Sequence, residues 1–286
     1  MQPEINDLVL EAQNGSRTAL ESVVAYAQKY VYNLALRMLQ HPMDAEDATQ
    51  EILIKLITHL GQFRGESSFS TWMYRIASTT LLNLVERDQM RNRVTFEGLS
   101  LRLEASLTHY EQSPEEQYLA AELIEEVRRN CTLGMLMCLN REDRLALILG
   151  EVLEMSGIEA ASILGVPETA YRKRLSRARQ TLVAFVSRQC GIVNPDSSCR
   201  CHKHVRNKIQ VGQLDPHNLK LAQATDAVSA LNFTQAGDRS LGDECQTMAL
   251  IRSHPQYAAA HNYGEMIDRM LSAEGHFGTD FFNPIN

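Results

Sequence analysis

No uninterrupted apolar stretch in this chain reaches the length of a bilayer span, and no cationic start leads into an apolar run. Neither a spanning helix nor export is therefore expected. An excess of positive charge is missing too. The formal net charge of −7 argues against a protein that coats nucleic acid over its whole surface, and confines any DNA contact to local basic patches. Acidic surface elsewhere is free to meet a basic protein. The composition of a disordered chain is also absent, since 44% of the 286 residues are apolar and 22% charged. That suffices for two or three modules with ordinary cores. The expected address is the cytoplasm, where the six cysteines would be reduced thiols or metal ligands rather than disulfides. Residues 217–273 contain no catalytic constellation, and no enzyme is expected.

What is present is concentrated between Ser156 and Phe185. Ile158, Ala161, Ile163 and Leu164 give a short helix its buried side, Gly165-Val166 supplies a turn, and Pro167 opens a second helix. In that second helix Tyr171, Leu175, Ala178, Leu182 and Phe185 recur every three or four residues and share one apolar face. Five cations fall within the eight residues Arg172 to Arg179. The pattern predicts a helix-turn-helix. Thr169, Arg172, Lys173 and Ser176 are the candidates for reading base edges, and Arg174, Arg177 and Arg179 for holding phosphates.

Nearer the N-terminus, residues 5–40 read as two or three short helices, ended by His41-Pro42. Asp44 is placed to cap the next helix, whose Ala45, Ala48, Ile52, Leu56 and Leu60 form a buried stripe while Asp47, Gln50, Glu51 and Lys55 face outward. Beyond it Gly65, Ser67 and Ser68 allow close backbone approach, and Phe69, Trp72 and Tyr74 offer aromatic planes on which an unpaired base could stack, with core packing the equal alternative for Phe69 and Trp72.

Two motif sets carry a family resemblance. The segment LNREDRLALILGEVLEMSGIEAASILGVPETAYRKRLSRARQTL, with RLSRAR at Arg174 to Arg179, resembles the promoter-reading C-terminal domain of bacterial RNA polymerase sigma factors of the extracytoplasmic-function class in the sigma-70 family. Asp44-Ala45-Glu46-Asp47 with Gln50-Glu51, then FRGESSF and TW-x-YRIA, resembles the N-terminal conserved domain of the same class. The resemblance implies that Asp47, Gln50 and Glu51 dock on the clamp of core RNA polymerase. It further implies that the loop from Arg64 to Thr71 and the helix near Trp72 handle the melted promoter element, with Phe69 and Trp72 contacting DNA. Promoter DNA and core polymerase are the implied partners, alongside an anti-sigma or other regulatory protein.

The sequence departs from the family at several places. Thr169-Ala170-Tyr171-Arg172-Lys173 stands where many members have Gly-Thr-Val-Lys-Ser, leaving base preference open. An asparagine common near Ser78 or Thr79 is missing. The basic tail is diluted, with Arg87, Arg91 and Arg93 interrupted by Glu86 and Asp88, which predicts a shallower salt dependence.

An all-α fold follows, with a region 2-like domain over 1–96, a linker over 97–117, a region 4-like domain over 118–189 and a mostly helical extension over 190–286. In the linker Glu104, Glu111, Glu115 and Glu116 are acidic, and Ser113-Pro114-Glu115-Glu116 reads as a helix start. Cys131 and Cys138 share one helix face as core thiols. The run Cys190-Gly191 through Cys199-Arg200-Cys201-His202-Lys203-His204 leaves two readings open. One is zinc or another thiophilic metal held by Cys190, Cys199 and Cys201 with His202 or His204; the other is free thiols or a redox pair. A subset of the resembled class carries such a run at the start of a C-terminal extension. Leu219 to Leu231 and Gln256 to Leu271 are read as amphipathic helices. The competing readings are a free-standing helix-turn-helix regulator and a metal- or thiol-responsive interaction protein.

Overall fold

The computed structural model describes residues 2–89, 94–108, 121–222, 242–259, 261, 263 and 264, all helix or loop with no strand among them. None of the helices among the described residues is long and apolar enough to cross a membrane. Arg91, Arg93, Glu111, Ser113 to Glu116, Leu231 and Leu271 lie outside the described residues. The chain forms two compact units: residues 1–87, 156–168 and 256–286 in one, 88–155 and 169–255 in the other.

The first unit is built on α1 (Gln2–Gln13), α2 (Arg17–Leu39), α3 (Pro42–Thr58) and α4 (Phe69–Gln89). Residues 17–39 form one continuous helix, because apolar positions fall on its inner face without a breaker and Ser16 caps its start by accepting the Ala19 N–H at 3.3 Å. In α3 the cap expected at Asp44 is absent. The helix already begins at Pro42, whose fixed φ suits the first helical position, and Asp44 lies in the first turn, where its charge favours the helix dipole. Ala45, Ala48, Ile52, Leu56 and Leu60 are all buried as the stripe predicts.

Ser68 caps α4, its hydroxyl accepting the Thr71 N–H at 3.1 Å. Gly65, at φ +70°, supplies the left-handed residue that the preceding loop requires. Gln13 Nε2 donates to the Leu60 and Phe63 carbonyls, each at 2.8 Å, and anchors that loop to α1. The same unit holds α8 (Gly157–Leu164), capped by Ser156 at one end and by the left-handed Gly165 at the other. Ala160, Ala161 and Ile163 are buried, but Ile158 is 72% exposed, because it sits in the first turn on the outer side of the helix.

The second unit contains α5 (Phe96–Thr108), α6 (Ala121–Met137), α7 (Arg141–Leu147), α9 (Glu168–Gln189), α10 (Cys201–Gln210) and α11 (Asp243–Arg252). The expected linker therefore begins as a helix. Its sparse apolar face is enough to pack: Leu99 and Leu103 are buried, Phe96 stacks on Phe185 at 4.8 Å, and Ser100 accepts from Gln189 Nε2 at 2.5 Å. After α7 the chain widens into a π turn over Ile148–Val152. Gly150 lies there because a Cβ would sit 2.5 Å from the Tyr171 hydroxyl and 3.0 Å from the Leu175 side chain.

Residues 201–219 contribute to this core. Val205 and Leu214 pack with Val127 of α6, joined by Leu123, Ile124, Cys201 and Leu219. Residues 219–222 are not the helix predicted from Leu219 onward. Their backbone N–H groups are taken by the Glu126 carboxylate instead, Lys220 at 3.1 Å, Leu221 at 2.7 Å and Ala222 at 2.6 Å. Residues 256–259 are likewise non-helical.

Candidate nucleic-acid interface

On α9 the buried stripe comes out as read, with Tyr171, Ala178, Leu182 and Phe185 inside and Leu175 half-buried. Thr169, Arg172, Lys173 and Ser176 are exposed on the other side and Arg174 is half-buried. Arg177 and Arg179 have a different setting from the phosphate-holding one expected of them. Arg177 makes a two-pronged pair with the buried carboxylate of Asp143, Nε at 2.6 Å and Nη2 at 2.5 Å. Arg179 pairs with Glu151, itself 1% exposed, Nε at 2.5 Å. Both arginines thus fix the rotation of α9 on the α7 and π-turn framework, which leaves Thr169 to Ser176 turned outward. The second oxygen of Glu151 accepts Arg252 Nη2 of α11 at 2.5 Å.

In the first unit a concavity of about 430 Å³ is lined by Lys55, His59, Gln62, Trp72, Arg75, Ile76, Thr79, Thr80 and Asn83. The α4 residues recur at helical spacing, so one face of α4 forms the floor. Lys55 and Arg75 are its charged lining groups, which suits an anionic strand. Trp72 is half-buried in its wall. Phe69, expected to contact DNA, is fully buried against Tyr26, Phe63 and Trp72. As the first residue of α4 it points into the bundle and supports the Trp72 ring from behind at 5.9 Å. Of the two positions where the family asparagine is missing, Ser78 is buried and Thr79 is the one that lines the concavity. Asn83, one turn further on, lines it as well. Sequence reading missed Asn83, although its spacing from Thr79 on an already assigned helix would have found it.

Asp47, Gln50 and Glu51 are exposed on α3. Glu51 is paired with Lys55 at 2.6 Å.

The cysteine run is brought together only in part. The His204 ring lies between Cys199 Sγ, 3.2 Å from Nε2, and the Ser106 hydroxyl, 3.0 Å from Nδ1. Burial first, then Lys208, His202 and Lys203, lowers its pKa to about 4, so the ring is neutral. Burial also pushes the Cys199 thiol up to about 11 and the Cys131 thiol up to about 12, each raised further by Cys190. Among the described residues no three histidine, cysteine or acidic side chains are grouped so that they could hold a metal ion. Cys190, Cys199, Cys201, His202 and His204 are thus not drawn together as one ligand group among the described residues, and His204 ties α10 to α5. Cys131, read as a simple core thiol, is in addition a neighbour of Cys190, Cys199 and Cys201.

A basic helix held with its polar face outward after a glycine turn, and a concavity lined by Lys55, Arg75 and Trp72, have the chemistry of a nucleic-acid-binding protein. The family comparisons agree. Sigma-70 region 2 matches residues 23–91, and Sigma-70, region 4 matches residues 129–182. RNA polymerase sigma-H factor of Pseudomonas aeruginosa is 31% identical over 184 residues, covering 63% of this chain and 93% of that protein. RNA polymerase sigma factor YlaC of Bacillus subtilis is 31% identical over 166 residues, 58% of this chain and 91% of its own length. ECF RNA polymerase sigma-E factor of Escherichia coli is 30% identical over 188 residues, 64% of this chain and 95% of its own. The chain belongs to the extracytoplasmic-function class of the sigma-70 family, and it is a transcription initiation factor that directs RNA polymerase to promoters.

Proposed function

We propose that the two surfaces divide promoter recognition between them. Thr169, Arg172, Lys173 and Ser176 on α9 read base edges in the major groove of the upstream element, and Arg174 contacts phosphate. The α4 concavity takes the unpaired strand of the downstream element, with a base against Trp72 and the backbone near Lys55 and Arg75. Asp47, Gln50 and Glu51 on α3 meet a basic surface of core polymerase, where complementary charge sets orientation and association rate. The protein acts by binding, in the cytoplasm, and an anti-sigma or other regulatory protein is a further partner. The observation that carries this reading is the fixing of α9 by Asp143 and Glu151, which presents Arg172, Lys173 and Ser176 together to solvent.

Run-off transcription from a randomised promoter library by holoenzyme assembled from core polymerase and the full chain tests it. Sequence-selected transcripts that disappear with Asp47→Lys, while helical content is unchanged, are the expected result. A chain that binds duplex DNA well alone and never associates with core polymerase would instead be a free-standing regulator.

A further inference from the structure

A segment near the C-terminus contributes to the first unit in a way that neither surface uses. Asn33 is 6% exposed in the middle of α2, where a polar side chain is costly unless its groups are paired. One amide hydrogen goes to the Lys29 carbonyl at 2.8 Å and the other to the Tyr257 carbonyl at 2.8 Å. Its oxygen accepts the Tyr257 N–H, also at 2.8 Å. Both main-chain groups of one non-helical residue are thus read by one side chain, as a neighbouring strand would read them. The Tyr257 ring is 4% exposed and lies under the Arg37 guanidinium, 5.8 Å from the ring centroid.

Three further contacts lie farther along. Gln28 Nε2 donates to the His261 carbonyl at 3.1 Å, and His261 Nδ1 is 2.6 Å from Glu46 Oε2. The Tyr263 hydroxyl donates to the Glu46 carbonyl at 2.9 Å, and that residue too is 4% exposed. Its pKa is raised by burial first, then by Glu46, Tyr32 and Asp47, so Asp47 is among its electrostatic neighbours. Asp47 is the residue next to Glu46 and the first of the three assigned to polymerase docking.

We infer that the segment carrying Tyr257, His261 and Tyr263 is a built-in ligand of a socket on α2 and α3, and that it competes with core polymerase for α3. This rests on the docking role given to Asp47, Gln50 and Glu51. The α2 groups that hold Tyr257 recognise backbone, which fixes the chain in place. The tyrosine rings and His261 add the selection for this segment. A polymerase surface gripping Asp47 and Gln50 has to displace Tyr263 from the Glu46 edge. The affinity measured for polymerase is then the intrinsic affinity scaled by the fraction of chains whose socket is open.

The test uses the full chain. A photocrosslinking amino acid at position 263 is expected to label the peptide containing Glu46 in the free protein and to lose that label when core polymerase is added. The double variant Tyr257→Ala/Tyr263→Ala is expected to bind core polymerase about fivefold more tightly than the unaltered chain. Labelling that persists in the polymerase complex, or equal affinity of the two proteins, overturns the inference. Glu51→Lys is measured in both backgrounds to separate the two readings. If it weakens binding in both while the double variant changes nothing, competition fails and docking stands. If it weakens neither, the docking reading fails and the inference with it, whereas labelling in the free chain still reports whether the socket is occupied.

Discussion

The two units close their cores by different means. Around α2, α3 and α4 the largest fully buried side chains are Leu20, Leu34, Leu36, Met38, Ile52, Leu53, Phe69, Met73 and Leu81, with Arg37 and Glu46 as buried charged groups beside them. Around α6, α7 and α9 the interior adds to Leu133, Leu145, Leu149 and Leu182 a larger charged set: Glu125, Glu126, Arg128, Arg129, Asp143, Arg144 and Glu151. Glu125 accepts from both Arg128 and Arg129, Arg129 reaches the Leu221 carbonyl at 2.6 Å, and Arg144 donates to the Leu136, Met137 and Leu139 carbonyls. Apolar packing is non-directional and tolerant of pH, and it suits a platform that needs only to keep a concavity open. Paired charges are directional: a guanidinium held at both prongs fixes the angle about a helix axis, and α9 needs that angle to be fixed. The cost is dependence on every partner remaining charged.

The largest expected effect comes from removing one partner. Glu125→Ala leaves Arg128 and Arg129 buried without their carboxylate and should cost about 3–5 kcal/mol. Hydrogen exchange should show the loss in α6, α7 and α9 and leave α2 and α3 protected. Phe69→Ala should cost a similar amount, about 3–5 kcal/mol, confined to the first unit. Equal loss of protection in both units from either variant would break the comparison.

A smaller effect separates the arginines of α9. Arg172→Ala should relax preference at one upstream position, worth about 1–3 kcal/mol against the wrong base. Arg177→Ala should weaken all promoters alike and lower the second unit's unfolding free energy by about 1 kcal/mol or less, because the guanidinium is largely exposed. Binding across a promoter library, with thermal unfolding alongside, distinguishes the two.

The smallest effect is the response to acid. Burial pushes Glu125 upward, but hydrogen bonds and charge from Arg128 and Arg129 outweigh it and hold the carboxyl below its usual range. A lowered folded-state pKa gives stability that is complete above the ordinary glutamate value, about 4.3, and is lost as pH falls through the lowered one. The second unit should therefore loosen first on acidification. Trp72 is the single tryptophan and lies in the first unit, so its fluorescence reports that unit alone. Helical circular dichroism should fall at a higher pH than the Trp72 signal changes; coincident transitions would count against the difference.

Where neighbours in sequence decide the structure, the sequence was readable. The α3 stripe and the α9 stripe follow from spacing alone, as does the outward set from Thr169 to Ser176. Legibility failed where distant residues decide. Leu219 to Ala222 and Gln256 to Tyr257 have amphipathic spacing, but Glu126 and Asn33 take their backbone groups, and nothing local announces an acceptor far off in the chain. The helix over Phe96–Thr108 was hidden by an apolar face too sparse to stand out against a charged background. Phe69 and Trp72 lie three residues apart on one helix, and only the packing of Phe63 and Tyr26 shows which faces inward.

Glu151 bears on how portable the extension is. Its two oxygens are divided between Arg179 of α9 and Arg252 of α11, while in α6 Thr132 pairs with His254 and Arg128 donates to the Ser253 hydroxyl. Trimming the protein at residue 189 would leave a buried acid half used and remove the His254 contact of Thr132 and the Ser253 contact of Arg128. Conversely, transplanting residues 190–255 onto a shorter sigma factor would require Glu126, Thr132 and Glu151 to travel with them. The receptor for the part of the extension that ends at His254 is written into the domain built on α6 and α9, so the two have to change together.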